Sequence, residues 1–199
     1  VIAVCGDSFC VPDPDYGPMW VDLLSTHCDL RNYSACTSSN LLIARQVDQA
    51  LEDCADFVIV HFTSCTRGEK LHDGVYVPFS FHTASEKTTP FDPNALRILK
   101  EYYTEFFDLN LAVYQNSVTI EHTLNKLISS GRPFRFDQGG FEHVSYGGTG
   151  EYFTQYNQYR SGFNLWDHAD VRVFRPYYHI QDQHIHQQVA EYYLQEIAK

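Results

Sequence analysis

Val1-Ile2-Ala3-Val4-Cys5-Gly6-Asp7-Ser8 is the stretch on which the reading of this chain turns. Five apolar residues run without a polar break and stop at Gly-Asp-Ser. Alternation would mark a strand with one wet face. An unbroken run marks a strand buried on both faces, the habit of parallel sheets covered by helices. A serine just past the C-terminal end of such a strand lies in the crevice where these sheets bind ligands. Gly6 permits a tight turn, and a helix N-terminus nearby favours an alkoxide. A plain turn with Ser8 capping the next element fits the tetrapeptide equally well.

Working outward, Met19 to His27 carries Trp20, Leu23 and Leu24 at helical spacing, and Leu30 to Ser34 returns as a strand. Asn40 offers an N-cap for a helix over Leu41 to Cys54, with Ile43, Val47, Ala50, Leu51 and Cys54 on one face. Phe57-Val58-Ile59-Val60-His61-Phe62 is a second buried strand, rich in β-branched and aromatic residues. The β-α-β-α-β order predicts an α/β fold, a three-layer α/β/α sandwich around a central parallel sheet, flavodoxin-like in type.

Residues 67–94 read as a long loop or a small hairpin. Helices are predicted over Asn94 to Asp108 and over Leu111 to Ser130, with Gly131 closing the second, and a strand over Pro133 to Phe136. Residues 137–165, rich in Gly and Tyr, form an aromatic insertion expected to act as an ordered loop or lid. Its Gly147-Gly148-Thr149-Gly150 does not follow a strand and open a helix, so no phosphate cradle is read there. The last helix begins about Asp182 and turns His186, Val189, Ala190, Tyr193 and Ile197 inward. The expectation is one domain over 1–199.

Composition narrows the partners. The chain has 199 residues and a formal net charge of −11, which disfavours nucleic acid and anionic membranes. No stretch reaches the ~20 apolar residues of a membrane span, and no charged leader precedes an apolar segment, so a cytoplasmic protein is expected. The six cysteines include no CxxC pair and read as reduced, mostly buried thiols. His184 and His186 are two apart, which splays them on a helix, so neither a metal nor another cofactor is expected.

Three blocks now stand in order: Gly6-Asp7-Ser8; Asn32 to Asn40; and Asp56 to Phe62 continuing as Thr63-Ser64-Cys65-Thr66-Arg67; a group of Asp and His precedes the last helix. Together they resemble the SGNH (GDSL-like) hydrolases, esterases, lipases, thioesterases and carbohydrate deacetylases with a three-layer α/β/α fold. The Thr-Ser…Arg third block resembles divergent members from bacteriophages. The resemblance implies Ser8 as nucleophile and its backbone N–H as an oxyanion donor. It puts Thr37 where the family has a glycine whose N–H is a second donor, and Cys65 or Ser64 where it has an asparagine. Thr63, Ser64 or Arg67 would then replace the lost amide.

The family's Asp stands three residues before its His, and this chain has no such pair near the last helix. Spacing back from that helix favours His179 as the base, with His184 beside Asp182 as second choice. His186 reads as core, and Asp182 either orients a histidine or caps the helix. Trp166-Asp167-His168 is a further source of an acid–base pair. The implied partner is a small-molecule or carbohydrate ester; the rival reading is a catalytically silent module that binds glycan or serves structure.

Overall fold

The structure, a computed structural model, describes residues 1–12, 17–72, 74–80, 92–137, 153–163, 165, 180 and 182–199. Strands β1 (Ile2–Cys5), β2 (Leu30–Asn32), β3 (Phe57–His61) and β6 (Phe134–Asp137) form a parallel sheet in the order β2-β1-β3-β6. Ile2 pairs with Leu30 on one side and Phe57 on the other, and Val58 pairs with Phe134. The chain leaves β1 toward β2 and then returns to β3 on the opposite side. That reversal makes a switch point at the C-terminal end of β1.

Alternation through the sheet divides the core between its faces. Ala3, Cys5, Val58 and Val60 meet Ile43, Val47 and Ala50 of α2 (Asn40–Glu52) and Ile120, Leu124 and Leu127 of α4 (Leu109–Ser130). Ile2, Val4, Phe57 and Ile59 meet Trp20, Val21 and Leu24 of α1 (Trp20–Ser25) and Val189, Ala190 and Tyr193 of α5 (Gln183–Ile197). Each Val, Leu, Ile or Phe side chain among them, fully buried, stabilises the fold by about 1.5–3 kcal/mol. The three layers expected from the strand pattern are therefore present.

Two elements differ in detail from the sequence reading, and a third settles an alternative. Ser39, not Asn40, caps α2, its hydroxyl accepting from the Leu42 N–H at 3.1 Å. Asn40 lies inside the helix because its side chain is engaged elsewhere. The helix expected over 94–108 is α3 (Pro93–Glu101) followed by a π-helical turn, Tyr102–Phe106, that ends with the Phe107 N–H on the Tyr102 carbonyl. The stretch after β3 contains the smaller alternative foreseen, an antiparallel hairpin of β4 (Gly68–His72) and β5 (Val75–Phe79).

Gly131 ends α4 in the left-handed region, at φ 69°, as its position after Ser130 predicts. Within the 137–165 stretch, residues 138–152 and 164 lie outside the described residues. Thr154–Tyr159 makes a 3-10 turn, and Tyr159 stacks on Phe134 at 4.5 Å. The following segment runs beside β6, with the Ser161 N–H on the Phe136 carbonyl at 2.7 Å. No helix among the described residues is long and apolar enough to cross a membrane.

Candidate active site

Ser8 opens a 3-10 turn, Ser8–Cys10, directly beyond β1. Asp7 caps that turn, its Oδ1 accepting from the Phe9 N–H at 3.0 Å. Asp7 is fully buried, and its Oδ2 accepts from the Thr63 hydroxyl at 2.7 Å and from the Arg67 guanidinium at 3.1 Å. Ser8 itself is half-buried, and among the described residues no group accepts its hydroxyl. Burying a carboxylate is costly unless charge and hydrogen bonds compensate it, and here both do. The outcome is a rigid turn that presents Ser8 at the switch point. Trp20 reinforces it by donating its indole N–H to the Phe9 carbonyl at 3.0 Å.

The second block wraps against the first. The Tyr33 N–H donates to the Val4 carbonyl at 2.8 Å and the Ala35 N–H to the Gly6 carbonyl at 3.3 Å. A turn closed by the Ser38 N–H on the Ala35 carbonyl then carries Thr37 at φ 62°. A β-branched residue at positive φ is an outlier, strained by roughly 1–3 kcal/mol. Glycine would sit there without cost. The turn thus keeps the backbone geometry of a glycine while carrying a threonine.

Two carboxamides of α2 hold these loops together. Gln46 accepts from the Gly6 N–H at 2.7 Å and donates to the Ser38 hydroxyl at 3.1 Å, joining first block to second. Asn40 accepts from the Thr63 N–H at 2.7 Å and donates to the Thr63 carbonyl at 2.8 Å, joining second to third. The sequence marks Asn40 only as a helix cap and Gln46 not at all. The available signal was phase: both lie in register with Ile43, Val47 and Ala50 on the inward stripe, where a polar residue must find buried partners.

No family model matches the chain, and no curated protein matches it by sequence. Solved structures do. An esterase, EstA, from Pseudoalteromonas sp., in a structure inhibited by monoethylphosphonate, is 13% identical with a TM-score of 0.53, covering 99% of this chain and 96% of its own. TesA is 13% identical at 0.54, covering 98% and 97%. A protein of Desulfitobacterium hafniense DCB-2 assigned to the lipolytic G-D-S-L family is 11% identical at 0.52, covering 98% of both chains.

This chain has the SGNH-hydrolase fold.

Cys65 is, with Ser64, one of the two residues that the resemblance sets against the family's asparagine. It is buried, and burial pushes its thiol pKa up, so it remains a neutral thiol and no rival nucleophile. The Ser64 hydroxyl is paired with that of Thr66 at 2.9 Å, and the Thr63 hydroxyl with Asp7. The Thr63 hydroxyl and one Arg67 N–H are thus engaged by Asp7, and the Ser64 hydroxyl by Thr66.

At the C-terminal block, His179 lies outside the described residues, as do Asp167 and His168 of the alternative pair. Asp182 is the N-cap of α5, accepting from the His184 N–H at 2.8 Å. The His184 ring is exposed and meets Gln188 at 2.9 Å.

His186 is the buried core residue its stripe position implies. Its Nδ1 accepts from the Trp20 N–H at 3.2 Å, and its Nε2 donates to the Ile180 carbonyl at 2.8 Å. The residue next to His179 is thereby anchored to the same tryptophan that holds the Ser8 turn.

The cysteines divide evenly rather than being mostly buried. Cys5, Cys10 and Cys65 are buried, but Cys36 and Cys54 are exposed and Cys28 half-buried, because they fall on loop and helix-end positions. Among the described residues no cluster of His, Cys, Asp and Glu has the makings of a metal site.

Proposed function

We propose that this protein is a serine-dependent ester hydrolase. The observation that carries the reading is Ser8, held by a buried, charge-compensated Asp7 at the C-terminal end of the central strand of an SGNH-type sheet. The solved relatives named as esterase and lipolytic protein support it by fold. Ser8 Oγ attacks the ester carbonyl carbon as its proton passes to His179. The oxyanion is held by backbone N–H groups at Ser8, Thr37 and Ser64. Collapse expels the alcohol, which takes the proton from the histidine, and water then releases the acid by the same route. His184 stands second as base.

Small-molecule esters are the substrate class, and the Tyr- and Phe-rich 137–165 stretch favours acetylated carbohydrate within it, since aromatic faces suit sugar rings. The silent-module reading draws support from the third block, where Cys65 or Ser64 stands for the family's asparagine, since loss of an oxyanion donor costs roughly 10²–10³ in rate. Assay of aryl acetates and peracetylated sugars with the native chain, Ser8→Ala, His179→Ala and His184→Ala separates these readings. Hydrolysis lost with the first two variants and kept with the third supports the proposal; a folded native chain inert to every ester supports the silent module.

A further inference from the structure

Asn40 is fully buried at the first position of α2, and helix capping is already supplied by Ser39. Its carboxamide is instead matched to one residue of the third block. Oδ1 accepts the Thr63 N–H at 2.7 Å, and Nδ2 donates to the Thr63 carbonyl at 2.8 Å. The second amide hydrogen goes to Asn116 Oδ1 of α4 at 2.8 Å. Asn116 in turn donates to the Ala112 carbonyl at 2.8 Å and approaches the Cys65 carbonyl at 3.4 Å. Both donors of Asn40 and its acceptor are satisfied, in a place where an apolar side chain would fill the volume without any polar group to satisfy.

What distinguishes Asn40 from a satisfied core amide is where its bonds lead. The two groups it holds belong to Thr63, whose hydroxyl fixes Asp7 at 2.7 Å, and Asp7 caps the turn that begins with Ser8. One continuous line of hydrogen bonds, part-buried at Asn116 and buried from Asn40 onward, therefore joins Asn116, Asn40, Thr63 and Asp7. The same clamp sets the height of the Ser64-Cys65 backbone, in a loop where the family's asparagine side chain is missing. A backbone donor can replace a side-chain amide only if the peptide that bears it does not move.

We propose that Asn40 is a positioning residue for hydrolysis, holding the third-block backbone and, through Thr63, the Asp7–Ser8 turn in reactive register. The inference rests on Ser8 being the nucleophile. Its test is the rate of phosphonylation by a fluorophosphonate, resolved into binding (KI) and reaction (kinact), with thermal unfolding measured on each variant.

Asn40→Leu lowers kinact about 10–100-fold with KI nearly unchanged, the size expected for a displacement of about 1 Å at a reacting group. Thr123→Ala, which removes a buried hydroxyl bonded only within α4, lowers the unfolding temperature and leaves kinact as it was.

Asn40→Asp guards against a leucine variant that does not fold. A buried carboxyl takes up a proton well above its ordinary range, and the protonated form again offers one acceptor and one donor to Thr63. Its kinact relative to native therefore rises as pH falls from about 8 to about 6.

An unchanged kinact in folded Asn40→Leu, a loss confined to KI, or a flat relative profile for Asn40→Asp each overturns the proposal while leaving the hydrolase reading intact. A folded native chain that does not react at all overturns both.

Discussion

The Thr63 hydroxyl donates to Asp7 Oδ2 across 2.7 Å, so the third block of this chain is bonded to the first immediately beside Ser8. Both residues are fully buried, and Arg67 shares the same carboxylate oxygen. Thr63→Val keeps the shape and removes the hydroxyl. Leaving a buried carboxylate short of one donor costs about 1–3 kcal/mol. Urea unfolding measures that loss, and the rate of Ser8 phosphonylation falls with it. Thr63→Ser retains the donor and keeps most of both.

Thr37 predicts the opposite sign. Its φ of 62° is a conformation glycine adopts freely and a β-branched residue does not. Thr37→Gly is expected to raise stability by about 1 kcal/mol, the relief of strain exceeding the added freedom of the unfolded chain. Reactivity at Ser8 is retained because the backbone N–H remains. Thermal unfolding in parallel with probe labelling checks both halves.

His61 gives the fold a dependence on pH. It is fully buried against Trp20, with Nε2 on the Tyr193 hydroxyl at 2.9 Å and Nδ1 without a hydrogen-bond partner. Asp137 stands 3.9 Å from Nδ1, beyond hydrogen-bonding range, and burial lowers the His61 pKa from 6.5 to about 3. Above 6.5 the imidazole is neutral in folded and unfolded chains alike. Below it the unfolded chain binds the proton first, so stability falls as pH drops and the loss levels off only near 3. By about pH 5 the loss from His61 is ~2 kcal/mol. His186, lowered chiefly by burial, acts in the same direction. Unfolding free energies at neutral and mildly acid pH measure the slope, and His61→Phe makes it shallower.

Asp182 separates a cap from a catalytic partner. Its carboxylate accepts the backbone N–H of His184 rather than orienting an imidazole. Asp182→Ala is therefore expected to cost about 0.5–2 kcal/mol of stability and leave Ser8 labelling unchanged. A loss of labelling without a loss of stability would return Asp182 to the reacting centre.

The parts of this architecture that could be read from sequence were those written as runs and stripes. β1 and β3 are unbroken apolar segments because both their faces are covered, and α2, α4 and α5 carry inward stripes that the core uses. The position of Ser8 just beyond β1 was legible because it follows a strand that could only be buried. Asn40 and Gln46 were not, since a polar residue on a helix looks the same whether it meets water or a buried backbone. Ser38, Ser39 and Asn40 can each cap a helix, and only the call of Thr63 on the Asn40 side chain leaves that task to Ser39. The positive φ of Thr37 was likewise hidden, because threonine is the wrong residue to advertise it. The π-helical turn after α3 leaves no mark in the spacing of its aromatics.

The central claim is an activated serine at the end of β1. Treatment of the folded chain with a fluorophosphonate, followed by peptide mass spectrometry, tests it most directly. The expected result is one adduct, on the peptide bearing Ser8, absent in Ser8→Ala. No adduct on the native chain, or one that persists in Ser8→Ala, would contradict it.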